Sequence, residues 1–429
     1  MLKLLRGEDL ECKKSTGSDP VLHAIMRSRS PGNHQVPHSY RIRNAFLLTS
    51  GLTSGKVSVI AVSVQTSHTV HKQVLSWIVP KKGALPFAIG ILYACATLQF
   101  IRFYMVSTIF YLNLPAYLAG HERLPFQERI LPALLIRPFY HSSSLVQSIG
   151  HTEGAFTPDR APLYIISLIS ILIAGFLTQK LYNLLSSSKA LGFLVYPIFL
   201  FAMMWTYSIH LEANYSYPYD MLAVAFFSAG LYFVYSRRFL PLLGIVLVGT
   251  LNRETTLFLI GIYLLDAAST DLAEPIGSFR ARFSLARVPW LRGALLAVVW
   301  LVVKLTLAHV FIHNSQAENY VRIRENMGRV NPRLWPALLN ICGYMLPMVL
   351  LLRGRLHPLR FRNYLWIFPL WFAVMFYTGV IVETRIYGEL CPFVAVALVL
   401  IMERHVEQIF SRRLPTESTQ PGSRLTRAA

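Results

Sequence analysis

Residues 161–184 of this 429-residue chain are APLYIISLISILIAGFLTQKLYNL, with Lys180 as their only charged side chain. A helix needs roughly 20 apolar residues to cross a hydrocarbon layer about 30 Å thick. Only helices and closed barrels satisfy every backbone hydrogen bond in that layer. The sequence therefore predicts an all-α protein, a polytopic transmembrane helical bundle of about 8–10 spans. The other apolar stretches are 85–112, 190–211, 219–236, 239–266, 291–313, 332–352 and 363–382.

The composition also indicates a membrane protein. Hydrophobic residues make up 54% of the chain and charged residues 14%, with a mean hydropathy of +0.45. Soluble domains carry about 25% charged residues. The net charge of +20 is concentrated in connectors and at the chain ends, where anionic lipids attract basic residues. We therefore expect membrane lipids as partners and no nucleic acid.

The chain divides into three segments by composition. Residues 1–83 are basic, with eight Lys or Arg and no Asp or Glu between Val21 and Gly83, and are expected to form a disordered cytoplasmic segment. A transit peptide, or a stretch outside the natural coding sequence, are open alternatives. Residues 84–404 form the predicted transmembrane helical domain, and 405–429 a basic cytoplasmic tail.

The placement of basic residues predicts the topology. Lys81-Lys82, Arg237-Arg238 and the connector 353–362 are rich in basic residues, which favour the cytoplasmic side of a membrane. This alternation predicts a multi-pass membrane protein with cytoplasmic N- and C-termini. The connector 314–331, which carries three arginines, is an exception because it falls outside.

The stretch 239–266 is interrupted in its middle by Asn252-Arg253-Glu254. A single continuous helix would place two charges at the centre of the bilayer. A broken or re-entrant pair of short helices would place them at a turn, which is tolerated where the backbone lines a cavity or packs within protein. We prefer the hairpin, and we expect Arg253 to pair with Glu383 or Glu389 and Glu254 to pair with Arg385. Lys304, deep in its span, also needs a buried partner.

Polar residues are predicted to gather at the outer face of the bundle. They come from the loop 120–132, from the turn that ends in Asp220, and from the last outer turn, 382–390. Arginine binds phosphate in a bidentate manner, a carboxylate accepts the proton of an attacking hydroxyl, and tyrosines stack on sugars or anchor at the interface. We expect one shared site for an anionic, lipid-linked substrate.

No motif of a soluble enzyme is present, whether a Walker loop, a dinucleotide fingerprint or HExxH. The four cysteines show no paired spacing, so we expect neither a disulfide nor a metal site built on them. No cofactor is predicted. A divalent metal remains an open alternative, because carboxylates beside a phosphate can act with a metal or with arginines alone.

Three motifs resemble a group of uncharacterised bacterial multi-span proteins whose layout is similar to the GT-C-type glycosyltransferases. The motifs are Leu124-Pro-Phe-Gln-Glu-Arg-Ile-Leu-Pro132, Leu251-Asn-Arg-Glu-Thr-Thr-Leu-Phe-Leu259 and Glu383-Thr-Arg-Ile-Tyr-Gly-Glu-Leu390. The resemblance covers about 85–405 and implies a polyprenyl-phosphate-linked sugar as donor, with an unknown acceptor.

The resemblance implies that an acidic residue of the first outer loop is the catalytic base. Glu122 is its counterpart and Glu128 the second choice. The remaining candidates are expected to bind substrate: Arg253 and Arg385 hold the phosphate, Glu254 and Glu383 orient them or bind the acceptor, and Asp220, Asn252 and Glu389 complete the site. A transporter or lipid flippase, or a non-catalytic membrane scaffold, are the alternatives.

Overall fold

The described part of the chain is almost entirely helical. The computed structural model describes residues 84–140, 160–209, 215–269, 283–316 and 321–413, the last four as backbone only. Its helices are α1 (Ala84–Ser107), α2 (Leu114–Ala119), α3 (Leu131–Tyr140), α4 (Ala161–Leu185), α5 (Val195–Tyr207), α6 (Asp220–Tyr235), α7 (Phe239–Asn252), α8 (Leu257–Ala268), α9 (Trp290–Val310), α10 (Ile323–Arg329), α11 (Trp335–Leu339), α12 (Met345–Leu351), α13 (Leu359–Arg362), α14 (Ile367–Thr378) and α15 (Cys391–Arg413). Two short strands, β1 (Ile109–Phe110) and β2 (Tyr215–Ser216), pair in parallel.

Four of the described helical stretches are long and apolar enough to cross a membrane: Leu85–Ser107, Ala161–Leu185, Trp290–Val310 and Thr384–Ile409. Three shorter apolar helices accompany them: Gly192–Tyr207, Asp220–Tyr235 and Phe239–Asn252. The all-α prediction is confirmed for the described residues. The expected count of about 8–10 spans is larger than this set of long helices.

One predicted span differs clearly from the observed structure. The stretch 332–352 contains a 3-10 turn and the two short helices α11 and α12, separated by residues 340–344. Cys342, Gly343 and Tyr344 all have positive φ in this break, a backbone conformation that ends a right-handed helix. Hydropathy alone could not detect the interruption, because the apolar run continues across it.

Helix α15 forms the centre of the core. Residues 391–401 are buried, and they pack against α4, α5, α6 and α12. By contrast, α1 and α9 lie at the periphery and leave many large apolar side chains exposed. At the far end of α15, Glu403 accepts hydrogen bonds from Tyr182 at 3.0 Å and from Ser186 at 2.7 Å, which ties it to the end of α4.

The interrupted stretch 239–266 folds back on itself. Helix α7 ends at Asn252, Arg253 is extended (φ −162°, ψ 139°), and a 3-10 turn leads into α8. The ring centroids of Phe239 and Tyr263 lie 6.1 Å apart. In one straight helix, 24 residues would separate these two positions by about 36 Å. The preferred hairpin is therefore the observed arrangement, with the polar triplet at its turn.

The bundle has two chemically different ends. At the first, called the basic end, the Arg360 guanidinium donates to Asp266 Oδ1 at 2.6 Å and to the Tyr235 carbonyl at 3.2 Å, and Tyr364 also donates to Asp266. This buried pair joins α6, α8 and α13. The basic connector around Arg353 lies at the same end. Asp220, the Arg253 turn and the 384–390 turn lie at the opposite end, called the polar end.

Several predictions fall outside the described residues. The N-terminal segment 1–83, part of the loop after α3, and the tail beyond Arg413 are among them. The predicted domain boundary at 404 falls inside a helix, because α15 continues to Arg413. The described part of the connector that follows α1 contains two short helices, α2 and α3, that the sequence did not suggest.

A cross-linking experiment tests the hairpin. We expect Phe239→Cys and Tyr263→Cys, combined in a background without the native cysteines, to be joined by a short thiol-reactive linker, because their rings touch. The pair Phe239→Cys and Leu251→Cys is the matched control, since 12 residues of one helix separate these positions by about 18 Å. Peptide mass spectrometry measures the products, and failure of the first pair alone to link would contradict the hairpin.

Candidate functional site

A buried cluster of opposite charges occupies the turn of the hairpin. Arg253 Nη1 lies 3.2 Å from Glu389 Oε1 and 3.8 Å from Asp220 Oδ1. All three side chains are almost completely inaccessible to solvent. A buried ion costs several kcal/mol in lost hydration unless an opposite charge is close. The extended backbone at Arg253 carries its guanidinium between the two carboxylates, so the break in the helix creates the pair. The predicted Arg253–Glu389 contact is present.

Neighbouring polar groups hold this cluster in place. Thr255 donates to Glu389 Oε1 at 2.7 Å, Tyr104 donates to Asp220 Oδ2 at 3.2 Å, and the Asn252 amide donates to the Tyr219 carbonyl at 3.0 Å. These contacts connect α1, α6, the hairpin and the start of α15. The cluster is therefore assembled from residues that are up to about 280 positions apart in the chain.

The cluster also contains buried polar atoms that lack hydrogen-bond partners among the described residues. They are Tyr219 Oη, Asp220 Oδ1, Asn252 Oδ1, Arg253 Nε and Nη1, Arg385 Nε and Glu389 Oε2. Folded proteins leave few buried polar atoms unpaired, because each costs about 1–3 kcal/mol. Their concentration around one point makes this cluster the candidate functional site.

Two arginines lie on a pair of stacked tyrosines beside the cluster. The rings of Tyr217 and Tyr219 stack at 5.1 Å. The Arg129 guanidinium lies 4.4 Å above the Tyr219 ring, and the Arg385 guanidinium lies 4.2 Å from the Tyr217 ring. Such cation–π contacts favour a guanidinium held flat on the aromatic face. The stacked rings and the two arginines together are called the arginine shelf.

Each arginine of the shelf is held by its own carboxylate. Arg129 donates to both oxygens of Glu254, at 2.7 and 3.3 Å, and Arg385 Nη2 lies 2.7 Å from Glu383. Burial lowers the pKa of Arg129, but the Glu254 carboxylate more than offsets this and raises the pKa above its ordinary value. Arg129 is therefore charged at every physiological pH. The expected Glu254–Arg385 pair is replaced by these two pairs, because Arg129 reaches Glu254 from the first loop.

The two residues proposed as base are engaged in other contacts. Glu122 accepts from the backbone amides of Asn113 at 2.9 Å and Arg123 at 3.0 Å, and is 3% exposed. Glu128 forms an ion pair with Lys304, which supplies the buried partner expected for that lysine. Both carboxylates join parts of the polar end to each other, Glu122 within its own loop and Glu128 between that loop and α9.

The structure brings the three predicted polar segments together at the polar end of the bundle. The 120–132 loop supplies Arg129, the turn before α6 supplies the tyrosines and Asp220, and the 384–390 turn supplies Arg385 and Glu389. Gly388 packs closely against Tyr207. A Cβ atom added at Gly388 would lie 1.9 Å from the Tyr207 hydroxyl oxygen, so only glycine fits here, and this contact keeps the 384–390 turn in place. Arg253 lies within the predicted reach of this turn and is buried.

Sequence reasoning missed Arg129 and did not single out Thr255. Arg129 lies within the quoted 124–132 motif, yet nothing in the sequence distinguishes it from Arg123 in the same loop. Only the tertiary contact with Glu254 reveals its role. Among the described residues, no group of three or more His, Cys, Asp or Glu side chains is placed to hold a metal ion. Arg253 occupies the position between two carboxylates where a cation would bind.

Comparisons of the chain with protein-family models, with curated proteins and with solved structures found no match. The similarity to GT-C-type enzymes therefore depends on the three sequence motifs quoted above.

A double-mutant cycle tests the buried cluster. We expect Arg253→Leu to lower the unfolding free energy by about 3–5 kcal/mol, because Asp220 and Glu389 would then be buried without a counter-charge. Glu389→Gln should lower the unfolding free energy less in the Arg253→Leu variant than in the wild type. The difference, which is the coupling energy of the pair, should be about 0.5–3 kcal/mol. Thermal unfolding in detergent measures both.

The exposed Arg324 at the same end gives the matched control for this cycle. Arg324→Leu should leave the unfolding temperature unchanged. Strict additivity of Arg253→Leu and Glu389→Gln would contradict the ion pair.

Proposed function

We propose that this protein is an integral membrane glycosyltransferase-like enzyme that uses a polyprenyl-phosphate-linked sugar at the outer face of the membrane. The observation that carries the proposal is the arginine shelf, in which two charged guanidiniums lie against two stacked aromatic rings. Arg129 and Arg385 are close enough for their charges to repel each other, and a phosphate between them would relieve that repulsion.

The membrane placement follows from the two ends of the bundle. Positive charge concentrates at the basic end, and basic residues favour the cytoplasmic side of a membrane. The polar end would then face outwards, with the short helices α5–α8, α12 and α14 completing a multi-pass bundle between the four long ones. Under this arrangement both termini of the helical part lie in the cytoplasm.

The aromatic rings suit the sugar part of such a substrate. Tyr217 also stacks on Phe126 at 5.5 Å. The rings of Phe126, Tyr217 and Tyr219 are all buried, so a sugar would reach them only when the polar end opens. Sugar rings pack well against flat aromatic faces, while their hydroxyls hydrogen-bond to nearby polar groups. Asn252 and Asp220, which have unpaired oxygens next to the shelf, are suited to accept those hydrogen bonds.

The reaction would be a displacement at the anomeric carbon of the sugar. The acceptor hydroxyl forms a new C–O bond, and the bond to the lipid phosphate breaks with its electron pair left on the phosphate. Arg385 and Arg129 would stabilise the charge that develops on the leaving phosphate. Glu383 and Glu254 would orient these arginines through the pairs described above. The proton of the acceptor passes to a carboxylate.

We assign the proton-accepting role to Asp220. Its Oδ1 accepts no hydrogen bond among the described residues, whereas Glu122 and Glu128 are engaged with backbone amides and Lys304. A base needs a free lone pair directed at the proton it removes. Because Asp220 is fully buried, the polar end must open for the acceptor hydroxyl to reach it.

A binding experiment tests the arginine shelf. We expect Arg129→Gln and Arg385→Gln each to weaken the binding of a polyprenyl-phosphate sugar to the purified protein by about 10- to 100-fold, because each removes a charge-assisted hydrogen bond. Arg324→Gln, at an exposed arginine of the same end, should bind like the wild type. Equal binding of the phosphorylated lipid and the free polyprenol would refute a phosphate site.

The base assignment is tested by the rate of sugar transfer. Asp220→Asn should lower the rate at least 100-fold with little change in donor binding, since it removes a proton acceptor but not a phosphate contact. Glu122→Gln and Glu128→Gln, single and combined, should retain transfer in any variant that still folds. If Glu122→Gln loses sugar transfer while its thermal stability is unchanged, Glu122 and not Asp220 is the base.

A transporter or flippase is the second candidate, because a discontinuous helix pair with a buried charge at its turn also occurs in transporters. Uptake of the lipid-linked sugar by vesicles, without transfer to any acceptor, would favour it. A non-catalytic scaffold would show neither binding nor transfer.

A further inference from the structure

A large groove lies between α12 and α14. Its volume is about 1260 Å³, above the 300–1000 Å³ of typical small-molecule sites. The walls are formed mainly by Leu346, Leu350, Trp366, Phe368 and Phe372. Its inner end reaches Tyr387 and Leu390, behind the turn that carries Arg385 and Glu389. The groove is therefore long, apolar and in contact with the functional turn.

The other end of the groove opens between basic side chains. Arg353, His357 and Arg362 line it there, and no Asp or Glu is among its lining residues. Arg360 also lines the groove, but Asp266 already neutralises its charge. Arg353 is exposed and forms no ion pair within the described part of the chain. This mouth of the groove carries a net positive charge.

The effect of this charge is visible at His357. Burial lowers the pKa of the His357 imidazole, and the nearby charges of Arg404 and Arg362 lower it further. Arg404, which lies on α15, therefore adds positive charge near this end of the groove. An anion bound at this point would be favoured by the positive charges of the arginines.

We infer that the groove binds an anionic glycerophospholipid, with its phosphate at Arg353 and His357 and an acyl chain along the apolar walls. Basic pockets between membrane helices on the cytoplasmic side are suited to acidic lipid headgroups. The inference depends on the membrane placement proposed above, but it does not depend on glycosyl transfer. The bound lipid supports the 384–390 turn from behind, at Tyr387 and Leu390.

Charge complementarity disfavours two other occupants. The N-terminal segment of this chain carries eight basic and no acidic residues between positions 21 and 83, so the basic mouth would repel it. A lipid-linked sugar donor would place its phosphate at the arginine shelf, at the opposite end of the bundle. An acidic phospholipid of the inner leaflet is the ligand whose charge and length both match.

A titration of the full-length protein in detergent tests the proposal. Phosphatidylglycerol and phosphatidylcholine with identical acyl chains are added, and bound lipid is counted by native mass spectrometry. We expect phosphatidylglycerol to bind at least tenfold more tightly. Arg353→Gln should weaken its binding about fivefold, since one basic contact with an acidic lipid is lost.

Two matched controls separate this groove from general surface charge. Arg355 is exposed in the same 353–355 turn but does not line the groove, so Arg355→Gln should bind phosphatidylglycerol like the wild type. Leu350→Trp fills the groove and should abolish binding. Leu370→Trp, at an exposed position of α14 outside the groove, should not.

Three results would overturn the inference. They are equal binding of the two phospholipids, an equal loss for Arg353→Gln and Arg355→Gln, and recovery of a lipid-linked sugar in place of a phospholipid from the wild-type groove. Because Arg129→Gln and Arg385→Gln should leave phosphatidylglycerol binding intact, failure of the glycosyltransferase proposal would not be mistaken for failure of this one.

Discussion

The rest of the polar end depends on the neutralisation of Arg253. A buried guanidinium is tolerable only beside opposite charge, and Asp220 and Glu389 supply it from two different helices. To bring these groups together, the stretch 239–266 must break and fold back, and the 384–390 turn must pack against the break. The same constraint explains why the helix pair is short and why the last turn precedes a helix whose first part, residues 391–401, is buried.

This interaction also places the arginine shelf. The backbone that positions Arg253 continues into Glu254, which points away from the buried cluster and holds Arg129. The segment that delivers Asp220 begins with the two stacked tyrosines on which Arg129 and Arg385 lie. One charge pair in the interior therefore fixes two further charge pairs nearer the surface. The interior cluster stabilises the fold, and the shelf lies beside it with both tyrosines and Arg129 buried as well.

The 384–390 turn lies between the polar cluster and the apolar groove. This turn presents Arg385 and Glu389 to the polar end, and Tyr387 between them faces the apolar groove that opens at Arg353. A lipid in the groove and a substrate on the shelf would thus contact opposite sides of the same short segment. Such a contact gives the surrounding membrane a direct route to influence the stability of the site.

The sequence determined the features that follow from solvation. Long apolar runs specified an all-α protein, because unpaired backbone groups are costly in an apolar environment. The charged triplet at 252–254 specified a break, because a single helix would have buried both charges without partners. The Arg253–Glu389 contact and the gathering of three polar segments were predictable for the same reason. The interruption at 342–344 was not, because its cause is backbone geometry within an apolar run.

The tertiary structure alone decided which charges pair. Glu254 was expected to pair with Arg385, but it pairs with Arg129. Glu122 was expected to be the base, but it accepts hydrogen bonds from backbone amides of its own loop. The groove with its basic mouth was also invisible, since it is formed by helices whose sequences are ordinary apolar runs. Hydropathy and charge are local properties that the sequence states directly. Partner choice depends on distances between segments, which only the folded packing sets.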